Sequence, residues 1–162
     1  MQMEITYTNK ITEENVNSNR AAVGFRRIHP EQLQASLDGS ALIIAAYDQN
    51  SAVGMARLIW DGGSVALIHD LLVVPEYQMQ GIEAELITHI CDFLHSKLKP
   101  GWGIQVDVRA WGYQEKICES LGFHASTLEQ RGIPMHICLT NQIELTDAMF
   151  KQCGFSAKEM DE

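Results

Sequence analysis

Leu71-Leu72-Val73-Val74-Pro75-Glu76-Tyr77-Gln78-Met79-Gln80-Gly81-Ile82 is the stretch that decides the fold. Its apolar run reads as a buried strand, Pro75 stops that strand, and a short loop leads through Gly81 into a helix. The helix runs from about Ile82 to Leu98. Ile82, Leu86, Ile90, Leu94 and Leu98 form one stripe, with Ile87 and Cys91 beside it. Pro100-Gly101 breaks the helix, and Ile104, Val106 and Val108 then alternate with Gln105, Asp107 and Arg109. A strand over Val65–Val74, a crossover helix and a strand over Ile104–Arg109 make a βαβ unit, so the two strands are expected to be parallel.

Outward from this unit the same cues continue. Glu4 to Thr8 reads as a short strand, and Thr12 caps a helix running towards Ala22. His29-Pro30-Glu31 opens a second helix that Gly39 ends. Ala41–Tyr47 and Ala52–Trp60 are strands separated by short turns, which with Val65–Val74 implies an antiparallel meander. Tyr113 to Leu121 reads as a helix closed by Gly122. Phe123 onward and Pro134–Thr140 supply two late strands, and Asn141–Glu162 adds a short amphipathic helix with a frayed acidic end. The order is β-α-α-β-β-β-α-β-α-β-β: an α/β (α+β) fold with a mixed, mostly antiparallel sheet and helices on both faces. The expected organisation is one domain over residues 1–140 and a C-terminal extension over 141–162.

Composition narrows the function classes. The chain has 162 residues, 46% hydrophobic and 20% charged, enough for a self-sufficient core. No apolar run approaches the ~18–20 residues needed to span a bilayer. Met1 to Lys10 has no signal-peptide core, so a cytoplasmic chain without membrane partners is expected. Twelve basic residues face twenty-one acidic ones, for a net charge of −9, which argues against nucleic acid as a partner. Cys91, Cys118, Cys138 and Cys153 show no CxxC spacing, so reduced thiols and no metal site are expected.

The loop between the buried strand and the long helix carries the chemistry. Successive backbone N–H groups at a helix N-terminus, where the macrodipole is positive, bind phosphates without a basic side chain. The same loop is also an ordinary strand-to-helix turn. Val73-Val74-Pro75-Glu76-Tyr77-Gln78-Met79-Gln80-Gly81-Ile82 resembles motif A of the GNAT N-acetyltransferases, whose pattern is Gln or Arg, two residues, Gly, one residue, then Gly or Ala. Ile117-Cys118-Glu119-Ser120-Leu121-Gly122-Phe123 is similar to that family's helix ending in Leu-Gly-Phe. The likeness covers roughly Ala41 to Thr140.

The resemblance implies acyl transfer from acetyl-CoA, as co-substrate, to the amine of a small molecule or peptide. It implies a central parallel strand pair that splays apart, with Leu71, Leu72 and Val73 bonding the pantetheine arm through their backbone. Gln78, Met79, Gln80, Gly81, Ile82 and Glu83 would hold the pyrophosphate. A homodimer is left open. Two departures stand out. Glu83 occupies the position of the third small residue. Its carboxylate would either crowd the phosphates or point outward in the first helical turn, and outward is the expectation. Cys118 sits where the family often has a Tyr that protonates the leaving thiolate, and Tyr113 is the alternative phenol. His69 and Asp70 are candidates for a general base, and simple strand alternation lets only one of them face the cleft. These departures keep an alternative open: a GNAT-fold CoA- or ligand-binding module with weakened catalysis.

Overall fold

The apolar stripe of the long helix, α3 (Ile82–Lys97), buries Ile82, Leu86, Ile87, Ile90 and Leu94 against one face of a sheet. The computed structural model describes residues 3–125 and 135. The chain divides into two units, Met1–Phe123 and His124–Glu162, and the fold described is that of the first. The expected strands beyond Phe123 and the helix within 141–162 lie outside the described residues.

The described sheet contains β1 (Ile5–Thr8), β2 (Leu42–Asp48), β3 (Ser51–Trp60), β4 (Val65–Val73) and β5 (Gln105–Val108), side by side in that order. The first four pair antiparallel, and β4 pairs with β5 in parallel, as the crossover through α3 requires. The opposite face is covered by α1 (Glu13–Ala22) and α2 (Pro30–Asp38), whose Val16, Leu33 and Leu37 pack on Met55 and Leu72. A short helix, α4 (Gln114–Ser120), follows β5 and packs beside α3.

Local chemistry accounts for the boundaries. Thr12 Oγ1 accepts from the Asn15 N–H at 3.2 Å, capping α1. Asn17 grips Ile28 twice, accepting from its N–H and donating to its carbonyl, each at 2.8 Å. This pins the chain between α1 and α2. The long helix leaves its α conformation at Leu98, ahead of Pro100, so Leu98 ends the stripe exposed rather than buried.

Alternation along β4 slips once. Ala66 and Ile68 face α3, but the next residues to do so are Leu71 and Val73. The extra residue is taken up in a bulge: Arg57 lies opposite His69 and Met55 opposite Leu72, and Asp70 adopts a φ of 50°. Beyond the bulge, Gly54 lies opposite Val73. A Cβ built there would stand 2.9 Å from the Leu72 carbonyl oxygen, a backbone atom that cannot step aside cheaply. Gly54→Ala is therefore expected to destabilise the fold by ~1–3 kcal/mol, as overpacking does, read as a lower urea midpoint with an unchanged slope. An unchanged midpoint would contradict this close approach.

Candidate active site

The bulge turns the side chains of two consecutive residues towards the same face. His69 Nδ1 stands 3.4 Å from Asp70 Oδ1. Regular strand alternation would let only one of the pair face a cleft; the extra residue in β4 lets both turn to the same side. Asp70 is buried between two arginines: Arg20 of α1 donates to Oδ1 at 2.9 Å and Arg57 of β3 donates to Oδ2 at 2.6 Å. Burial disfavours its charged form, yet the adjoining His69 and Arg57 prevail and hold its carboxyl well below the usual carboxylate range. A carboxylate so held is a poor proton acceptor, so Asp70 acts as a clamp. His69 differs. Its side chain is 39% exposed, and its buried Nδ1 has no aligned hydrogen-bond partner among the described residues.

The bulge also ends the ladder between β4 and β5. Pairing runs from Val65 and Gln105 to Ile68 and Val108, and the last rung is the Arg109 N–H to the Ile68 carbonyl at 3.1 Å. Beyond it β4 continues to Val73 with β3 on one side and, among the described residues, no strand on the other. The Val74 N–H donates to the Val53 carbonyl, so Val73, opposite Gly54, turns its own N–H and carbonyl away from β3. Leu71 shares that open edge, whereas Leu72 is paired to Met55 and its side chain lies in the α1–α2 core. Two glutamines meet the edge. Gln114 of α4 donates from Nε2 to the Leu71 carbonyl at 2.8 Å, and Gln78 donates from Nε2 to the Val73 carbonyl at 2.9 Å.

The open edge leads to the N-terminus of α3. Met79 and Gly81 have φ of 59° and 92°, and among the described residues nothing beyond its chain neighbours lies within 4 Å of where a Gly81 Cβ would project. Gly81 is the N-cap and supplies no side chain, so the first N–H groups of α3, at Ile82, Glu83 and Ala84, have no side-chain cap. The Gln80 side chain folds back to the Glu76 carbonyl at 2.8 Å.

Glu83 does not point outward. It is fully buried, and Oε1 accepts from the Tyr113 hydroxyl at 2.7 Å. The physical reason is periodicity: Glu83 precedes Ile87, Ile90 and Leu94 by four, seven and eleven residues on one stripe of α3. Burial, then the bond to Glu83, pushes the Tyr113 phenol above its ordinary value, and the pair ties the start of α3 to the entry of α4. Oε2 of Glu83 has no partner among the described residues. Cys118 packs in the α3-side core, where burial pushes its thiol up. The structure thus brings His69 and Asp70 together, and Tyr113 with Glu83, while Cys118 lies in the apolar interior. Sequence reasoning missed Gln114 and Arg20. Only contacts across elements reveal them.

A family model for an acetyltransferase (GNAT) domain matches residues 7–141. The chain belongs to the GNAT acetyltransferase family. A GNAT-family acetyltransferase from Streptococcus pneumoniae is 26% identical, with a TM-score of 0.65 over 87% of this chain and 100% of that one. A Staphylococcus aureus protein of unknown function is 24% identical, with a TM-score of 0.71 over 84% of this chain and all of the other. An aminoglycoside N-acetyltransferase solved with CoA shares the fold at 16% identity, with a TM-score of 0.58 over 85% of this chain and 95% of that one. No curated protein sequence matches. No helix among the described residues is long and apolar enough to cross a membrane.

The Glu83–Tyr113 bond has a measurable consequence in this GNAT chain. Tyr113→Phe leaves a buried carboxylate with no partner, at ~1–3 kcal/mol or more. Adding Glu83→Met removes the orphaned charge and should recover most of that loss by urea denaturation. A Tyr113→Phe variant as stable as the parent would contradict the pairing.

Proposed function

We propose that this chain is an acetyl-CoA-dependent N-acetyltransferase that moves an acetyl group to a primary amine of a small molecule or peptide, by direct attack in a ternary complex. The observation that carries this reading is the continuity of the open β4 edge with the uncapped N-terminus of α3. The edge offers backbone groups of Leu71 and Val73 to an extended, amide-bearing arm. The helix start offers the N–H groups of Ile82 and Glu83, with Gln80 and Gly81 leading into it, to a diphosphate. Gln78 and Met79 shape the turn between them. The Val73 carbonyl already accepts from the Gln78 amide, so an arm bonding that carbonyl displaces the side chain.

Acetyl-CoA supplies a thioester carbonyl. The amine nitrogen bonds to its carbon, the carbon–sulfur bond breaks, and the thiolate leaves to take up a proton. The protein's contribution is chiefly positioning, which at best supplies ~7–11 kcal/mol. His69 is the group to receive the amine proton, because it is partly exposed beside the end of the ladder. A proton on its Nδ1 faces Asp70 and leaves Nε2 as the acceptor. Asp70 positions it. Tyr113 and Cys118 are weaker candidates for protonating the thiolate: the Tyr113 proton is engaged by Glu83, and Cys118 is buried in the core. Glu83 favours a second reading, a CoA- or ligand-binding module, because it puts a buried carboxylate where the family places a small residue.

Incubation with acetyl-CoA and a panel of primary amines tests the proposal by release of free CoA thiol. Amine-dependent release is expected, with Gly81→Val raising the KM for acetyl-CoA or lowering the rate at least tenfold. A positive φ makes valine strained at Gly81, and its branches enter the space over the amides. Tight acetyl-CoA binding without release would support the module, and absence of binding would overturn both readings.

A further inference from the structure

The face of β4 that bears His69 and Asp70 collects positive charge in a chain of net charge −9. Arg20 and Arg57 both converge on Asp70, with side chains 16% and 13% exposed. Each guanidinium carries five N–H donors, more than one carboxylate can take. Among the described residues, the other side-chain bonds are from Arg20 Nε to the Arg26 carbonyl at 3.0 Å and from Arg57 Nη1 to Ser40 Oγ at a long 3.4 Å. Arg109 stands at the end of the β5 ladder, where its N–H donates to the Ile68 carbonyl, and strand alternation puts it on the face opposite Val108. Asp107 is the acidic neighbour on that face, one rung back at Leu67, and the Gln105 amide engages it at 3.1 Å. Among the described residues, three arginines and two aspartates therefore meet on this face of the sheet.

The same place has an aromatic wall. Phe25, from the segment between α1 and α2, packs on Trp111 with ring centroids 5.1 Å apart, and Arg20 lies 5.6 Å from the Phe25 ring. Trp111 is 52% exposed. The opposite face of β4 is filled by Leu71 and Val73 against α3, and on the near face Leu72 is covered by α1 and α2, so an acceptor's approach is at the exposed end of that face, past His69 and Trp111.

We propose that the acceptor is an amine that also carries an anionic group near its amino group, an amino acid in the simplest case. Spare N–H donors of Arg20 and Arg57 hold the anion, and the Phe25–Trp111 wall holds an apolar side chain. The inference rests on the acetyl-transfer reading above. Arg20 and Arg57 are specificity residues in it.

Matched acceptors test it with the wild-type chain and acetyl-CoA: L-phenylalanine, L-phenylalaninamide, phenethylamine, and the aminophosphonate analogue of phenylalanine. The expected result is a KM at least tenfold lower for the acids than for the two uncharged-tail amines, rising with added NaCl for the acids alone. A preference for the phosphonate over the carboxylate identifies a phosphate-type anion, and the reverse identifies a carboxylate. Arg20 also clamps Asp70, so Arg20→Gln should lower the rate with every acceptor, but it should raise KM for the acid at least tenfold more than KM for phenylalaninamide; the wild-type comparison stands if this variant does not fold. Equal or better KM for phenylalaninamide overturns the inference. So does acetyl transfer to cationic polyamines alone, which leaves the N-acetyltransferase reading standing. No thiol release with any amine fails both.

Discussion

One buried carboxylate between two guanidinium groups sets the geometry of the whole site. Asp70 holds a left-handed backbone conformation at the bulge, and such strain costs ~1–3 kcal/mol in a residue with a side chain. Removing one partner from a buried ion pair costs ~3–5 kcal/mol. With Arg20 and Arg57 in place, moving Asp70 out of the bulge would cost more in unpaired charge than the strain it relieves. A buried ion pair is weak evidence for net stability, since apolar residues can often replace one without loss. Here its effect is on shape: it joins α1, β3 and β4 at the point where β4 parts from β5.

Everything at the site follows from that parting. A parallel ladder that stops after Ile68 leaves the last residues of β4 with an edge unpaired among the described residues, and unpaired edges invite either aggregation or a ligand. In this chain two glutamine amides, from Gln78 and Gln114, take the exposed carbonyls of Val73 and Leu71. They satisfy the acceptors with groups of the same chemistry as a peptide or pantetheine amide. The contact is short and neutral, worth ~0.5–1.5 kcal/mol each, so a ligand can displace it without a large penalty.

Much of the fold was legible because it rests on periodicity. The 3.6-residue stripe of Ile82 to Leu94, the alternation of Ile104 to Val108, and the punctuation at Pro75 and Pro100 each state a local preference that tertiary structure leaves intact. The parallel pairing followed from the crossover alone. The site was legible in part. Gly81 and the loop announced a helix N-terminus, but Glu83 was judged by the helix dipole, which favours an exposed acid, when its place on the stripe of Ile87 and Ile90 already implied burial. Asp70 was misjudged because alternation assumes a regular strand, and one inserted residue reverses faces. Gln114 and Arg20 act across 43 and 50 residues of sequence, and no local pattern records such contacts.

The claim that the β4 edge and the α3 N-terminus form one cofactor site is tested most directly by backbone-amide NMR during titration with acetyl-CoA. The account predicts shift changes concentrated at Leu71, Val73 and Gln80 to Ala84, together with the side-chain amide of Gln78 as it leaves the Val73 carbonyl. Saturable binding that shifts other amides and leaves these unmoved would contradict it.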